Sequence, residues 1–148
     1  MASDVPNSIL FACTQNVIRS PMAAAIMKHL YGHQTYVASA GLKPGEADPF
    51  LKTVLDEIGI ELGKHQPHTF AELEDSSFDL AISLSPEAHH WALELTRTAA
   101  IETEYWPTQD PSATSGSREQ ILDSYRNVRD SLVTRIRKRF GPTGAKGV

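Results

Sequence analysis

A chain of 148 residues, 41% hydrophobic and 22% charged and without a low-complexity tract, has the size and composition of one packed domain rather than a disordered polymer. Its formal net charge of -4 excludes general nucleic-acid binding, which draws its affinity from Lys and Arg neutralising phosphates. No apolar run approaches the ~20 residues of a membrane span, and residues 1–7 lack the basic and apolar regions of a secretory signal. The expectation is a cytoplasmic monomer that binds neither nucleic acid nor membrane, with one domain over residues 1–148 and flexible ends at 1–7 and 141–148.

In chain order, residues 8–12 form a short apolar run that stops in polar residues, as a buried strand does on entering a loop. Ser20 and Pro21 read as an N-cap and a first helical position, followed by the apolar residues Met22, Ala23, Ala24, Ala25, Ile26, Met27 and Leu30 and closed by Gly32. Residues 35–39 read as a second strand. Asp48 and Pro49 open a second helix through Val54, Leu55 and Ile58 to Gly59. Residues 78–84 read as a third strand, and Ser85 and Pro86 repeat the cap-plus-proline start for a helix carrying Trp91, Leu93 and Leu95. Residues 100–106 read as a fourth strand. A last helix over about 117–140 places Ile121, Tyr125, Val128, Leu132, Ile136 and Phe140 at spacings of three or four, with residues 135–139 as its solvated basic face. Strands alternating with helices predict an α/β, three-layer domain: a central four-stranded parallel sheet flanked by about five helices, binding ligands beyond the carboxyl ends of its strands.

That edge carries Cys13, Thr14, Gln15, Asn16, Val17, Ile18, Arg19 and Ser20. There is one cysteine, so an internal disulfide is excluded, and one thiol with scattered histidines does not make a thiolate zinc cluster. Cys13 is therefore either inert packing or a reactive thiol. A strand-to-helix loop can aim backbone N–H groups at an anion with the helix dipole behind them, so residues 14–18 and 20 are candidate phosphate ligands. Arg19 suits bidentate binding of phosphoryl oxygens. A thiol at a helix N-terminus beside a guanidinium is favoured as the thiolate nucleophile. Ser20 can both cap the helix and donate its hydroxyl to that sulfur. His89 and His90 have no metal-ligand spacing and read as helix surface, and Trp91 and Trp106 read as packing. Neither metal nor cofactor is expected.

The stretch from Ile9 to Met27, with Cys, five residues, Arg and Ser followed by Pro and an alanine-rich helix, resembles the low-molecular-weight protein tyrosine phosphatases. Ser39, Ala40 and Gly41 are similar to the family's second-strand motif, residues 78–84 to its third strand, and Asp110 and Pro111 to the place of its general acid. The resemblance spans about residues 8–140. It implies a phosphate monoester hydrolase acting through a phosphocysteine on a phosphorylated protein or a small aryl phosphate. Cys13 would be the nucleophile, Arg19 the phosphate clamp and Asp110 the proton donor and acceptor, with Asn16 holding the loop's shape and Ser39 and His65 behind it. Two alternatives stand beside it: an arsenate reductase using an external thiol, and a phosphate- or phosphoprotein-binding module without turnover. Gln15 and Ile18 depart from the family, which often has a glycine and a second cysteine there. Small polar residues 112–116 follow Asp110 where the family often has tyrosines.

Without a second thiol, oxidised Cys13 has no resolving partner in the chain. Peroxide should inactivate the protein and leave sulfenic or sulfinic acid at Cys13 by mass spectrometry; protection by an internal disulfide would refute this.

Overall fold

The computed structural model describes residues 5–43, 45–63, 65–72, 77–97 and 99–141. The order is β1 (Ser8–Cys13), α1 (Arg19–Tyr31), β2 (Tyr36–Gly41), α2 (Pro49–Asp56), β3 (Leu80–Ser83), α3 (Pro86–Leu95), β4 (Glu102–Tyr105) and α4 (Arg118–Phe140), with 3-10 turns at Phe70–Glu72 and Pro111–Ala113. The four strands form one parallel sheet in the order β2-β1-β3-β4. The chain leaves β1 toward β2 and later returns to β1's other side with β3, so the carboxyl end of β1 is the topological switch point where parallel sheets open a ligand crevice. Among the described residues, four α-helices and two short 3-10 turns flank the sheet, close to the expected five or so helices.

Period-two alternation distributes β1 between the two faces. Ile9, Phe11 and Cys13 join the larger core with Met22, Ile26, Leu51, Leu55, Leu132 and Ile136 of α1, α2 and α4. Leu10 joins Ala40, Phe78 and Ala81 on the opposite face, where Phe70 and Trp91 stack with centroids 3.6 Å apart. Both faces are covered, as a parallel sheet requires. The parity that buries Ile9 and Phe11 also turns Cys13 toward α1.

Local chemistry explains most element ends. Asp48 caps α2 by accepting from the Phe50 N–H at 2.8 Å, and Ser85 caps α3 by accepting from the Ala88 N–H, each followed by a proline. Ser117 and Gln120 form a reciprocal capping box on α4. Helix α1 departs from expectation: its cap position is Ile18, with no side-chain cap, and Ser20 lies inside the helix. Strand β2 runs to Gly41, two residues beyond the expected end, because Ala40 and Gly41 pair with Ala12 and Cys13. Strands β3 and β4 are shorter than 78–84 and 100–106 because their ladder spans only Leu80–Ser83 against Glu102–Tyr105. On α3 the buried residues are Ala88 and Ala92, while Leu93 is exposed, so small side chains let this helix approach the sheet. His90 is exposed, but His89 is half-buried and stacks on Tyr105.

At the expected loose ends, Asn7 accepts from the Tyr36 N–H and donates its own N–H to Asp79, and Tyr31 donates its hydroxyl to the Gly141 carbonyl; residues 1–4 and 142–148 lie outside the described residues. No helix among the described residues is long and apolar enough to cross a membrane.

Arg129, only 8% exposed, donates to the Val54 carbonyl at 2.8 Å and to Glu57 at 2.7 Å, while Arg126 grips the same carboxylate through Nε and Nη2. These contacts tie α4 to the end of α2. The Arg126 hydrogen bonds above all, with those from Arg129, hold Glu57 down at about 2 from the ordinary 4.5. A carboxylate with a depressed folded-state pKa contributes stability that is present above 4.5 and lost as pH falls toward about 2. Glu57→Gln should therefore lower the urea midpoint at pH 7 and flatten its decline across that interval; equal acid profiles for the two proteins would contradict the assignment.

Candidate active site

Residues 14–18 link β1 to the N-terminus of the 13-residue α1, and Asn16 fixes their path. Its φ is 57°, left-handed backbone that Asn adopts more readily than most residues. It is fully buried, and every polar group it owns has a partner. Its backbone N–H donates to Cys13 Sγ at 3.3 Å. Its side-chain amide donates to Ser20 Oγ and Ser39 Oγ, both at 2.9 Å, and its Oδ1 accepts from the His68 N–H at 3.1 Å. Its carbonyl accepts from His65 Nε2 at 3.0 Å, which places that ring's proton on Nε2; burial pushes the His65 pKa down, favouring the neutral ring.

Cys13 Sγ lies 2.9 Å from Ser20 Oγ. Ser20 Oγ accepts from Asn16 and keeps its own proton, so it can donate to the sulfur, and with the Asn16 N–H two donors would then converge on a deprotonated Sγ. That arrangement suits an anionic sulfur. The end of β2 braces the loop from behind: the Leu42 and Lys43 N–H groups both donate to the Thr14 carbonyl, and a Cβ on Gly41 would meet the Gln15 carbonyl carbon at 2.6 Å. Only glycine permits that approach.

Arg19 Nη1 donates to the Thr108 carbonyl at 3.1 Å, and Thr108 is anchored by its own N–H to the Leu84 carbonyl at the end of β3. Two residues on, Asp110 Oδ1 accepts from the Ser112 N–H at 2.9 Å and from Ser112 Oγ at 2.7 Å. The sheet edge thus brings Asp110, 97 positions after Cys13 in sequence, into one cleft of about 680 Å³ with Cys13, Thr14, Gln15, Val17, Ile18 and Arg19. Asn16, Ser20, Ser39 and His65 are not in its lining and stand behind the loop. A thiol, a guanidinium and a carboxyl around one opening can attack, hold and protonate a tetrahedral oxyanion ester.

Glu46, Asp48, Glu87 and Ser112 also line the cleft, and sequence reasoning assigned them no place there. In the sequence Asp48 signals only a helix cap. Glu87 carried a usable signal, since it falls in the first turn of the helix that follows a strand's carboxyl end. His68 acts through its backbone, which no sequence pattern reveals. Among the described residues no group of His, Cys, Asp and Glu could hold a metal ion.

The family model for "Low molecular weight phosphotyrosine protein phosphatase" matches residues 8–142. An arsenate reductase of Shouchella clausii is 29% identical over 136 residues, covering 92% of this chain and 96% of that enzyme. The tyrosine phosphatase amsI of Erwinia amylovora superposes with a TM-score of 0.75 at 23% identity, covering 91% of each chain. An arsenate reductase in its phosphate-binding state superposes at 0.71 with 25% identity, covering 89% of this chain and 95% of that one.

Substitutions at Asn16 separate its backbone role from its side chain. Asn16→Gly and Asn16→Ala both lose the amide contacts and should weaken inorganic phosphate binding in calorimetry. The alanine variant should be less stable by a further ~1 kcal/mol in urea unfolding, because only glycine accepts a positive φ without strain; equal stability of the two would show that φ imposes no cost.

Proposed function

The chain belongs to the low molecular weight phosphotyrosine protein phosphatase family, and on that premise we propose that it is a cysteine-dependent phosphate monoester hydrolase. The observation that supports this most is the pair of donors on Cys13 Sγ, from Asn16 N–H and Ser20 Oγ, at a cleft shared with Arg19 and Asp110.

In this mechanism the substrate's phosphoryl oxygens lie against the N–H groups of the 14–19 loop and the Arg19 guanidinium. The Cys13 sulfur attacks phosphorus in line, the S–P bond forms as the P–O bond breaks, and Asp110 gives its proton to the leaving oxygen. Water then attacks the phosphocysteine, Asp110 takes its proton, and the S–P bond breaks to release phosphate. The Ser20 hydroxyl stabilises sulfur as it leaves. Positioned donors of this kind are worth roughly 3–4 kcal/mol each to the transition state. No metal or cofactor enters these steps. A nucleophilic thiol must stay reduced, which favours the cytoplasm, and the substrate is a phosphorylated protein or small aryl phosphate met by a monomer.

A second reading follows from the Shouchella clausii relative, named an arsenate reductase. With one cysteine in the chain, reduction here would need external thiols as the two-electron donor. A binding module without turnover is the third, and it leaves the joint presence of Cys13 and Asp110 in the cleft unexplained.

Hydrolysis of an aryl phosphate between pH 4 and 8, in the presence of a metal chelator, tests the proposal. Wild type should turn over, Cys13→Ser should lose all activity, and Asp110→Asn should be slowed by about 10²- to 10⁴-fold. A wild type that binds phosphate but never releases an alcohol would overturn it.

A further inference from the structure

Glu87 is an unexpected neighbour for a phosphate-binding loop. Its Oε1 accepts a hydrogen bond from Thr14 Oγ1 at 2.9 Å, and Thr14 Oγ1 also lies 3.1 Å from Ser85 Oγ. Since Thr14 follows Cys13 directly, the loop that would hold a phosphoryl dianion also holds a carboxylate. A fixed negative charge there opposes the binding of any phosphate by Coulomb repulsion, unless the substrate brings a positive charge of its own. An acidic first turn does favour a helix N-terminus, but that benefit does not require the carboxylate to be bonded to the phosphate loop.

The rest of the cleft agrees in character. Arg19 is the one basic side chain among the described lining residues, no aromatic ring is among them, and Val17, Ile18 and Gly45 are its apolar members beside the neutral Gln15 and Ser112, with Glu46, Asp48 and Asp110 lining the same space. The opening thus offers an anion hole at its floor, short aliphatic surface above it and a carboxylate tethered to the floor. We propose that Glu87 is a specificity-determining residue that selects phosphoryl substrates whose organic part carries an ammonium or guanidinium group. This rests on the hydrolase reading above and adds the charge class of its substrate.

The test uses three phenyl phosphates that share one ring and one scissile bond and differ in a para substituent: trimethylammoniomethyl, methyl and carboxymethyl. The shared ring and bond cancel leaving-group chemistry. At low ionic strength, wild-type kcat/KM should favour the cationic over the anionic probe by about tenfold, and the ratio should shrink as salt screens the charges. Glu87→Gln, which keeps an oxygen acceptor for Thr14 and removes the charge, should narrow that ratio by about threefold. Glu94→Gln, the same charge change at an exposed position paired with Arg97, should leave it as in wild type. A wild-type ratio near one, an anionic preference, or equal narrowing by Glu94→Gln would overturn the role of Glu87 while leaving the hydrolase standing. Failure to hydrolyse any of the three probes would instead sink the hydrolase itself, and this inference with it.

Discussion

Asn16 holds a left-handed backbone in a fully buried place, and the remainder of the site depends on that residue staying there. A buried amide left without partners costs ~1–3 kcal/mol, so its bonds to Ser20, Ser39 and His68 keep the loop's conformation the stable one. The same bonds set the roles of their partners. By donating to Ser20 Oγ, Asn16 turns the serine proton toward Cys13; by accepting from His65, its carbonyl fixes the tautomer of a ring 49 positions away. Beside the packing of Ile18 and Val17 on the core, the loop is held by a polar network between β1, α1, β2 and the 65–68 segment, and such networks specify one geometry only when every member is satisfied.

Around that network the sheet acts as a ruler. Parallel strands in the order β2-β1-β3-β4 place the carboxyl ends of three strands in a row, so residues just past Cys13, Gly41 and Ser83 meet although they are far apart in sequence. Helix α4 closes the arrangement from below. Tyr125 donates to Asp48 at 2.7 Å, and burial first, then that bond and the nearby carboxylates, push its phenol pKa well up. The proton therefore stays on Tyr125, and the bond joins the cleft-lining Asp48 to α4, which Thr114 on the other side of the cleft also contacts through Ser124.

The elements were legible in the sequence because caps, prolines and periodic apolar residues act locally: Asp48 with Pro49, Ser85 with Pro86, and the three-to-four spacing on α4 each point to what the backbone does there. The floor of the site was legible for the same reason, since Cys13 to Ser20 is one contiguous loop. What escaped is tertiary. Ser20 looks like a cap by local rules, yet the hydroxyl has a better use beside sulfur and an amide, and the helix begins two residues before the expected Pro21, at Arg19, without a side-chain cap. Nothing in the sequence signals that α2 supplies Arg129 with a carbonyl and a carboxylate that offset its burial. Leu93 looks like core and lies outside because the alanines of α3 do the packing. Glu46 and Ser112 share no pattern with Cys13, Glu87 signals only a helix start after a strand, and the meeting of strand ends puts all three around it.

The bond from Arg19 to the Thr108 carbonyl has a consequence for timing. A guanidinium has five N–H donors, and one of them is already committed to the segment that leads to Asp110. The side chain proposed to grip the anion therefore also ties the 14–19 loop to the segment that leads to Asp110. An ammonium, with its point charge on a flexible stem, could answer the anion or the carbonyl but would not hold a fixed separation between them. Under the proposed hydrolase mechanism, which needs a proton delivered as a bond breaks, the rigidity of that one planar group would keep the two events in step.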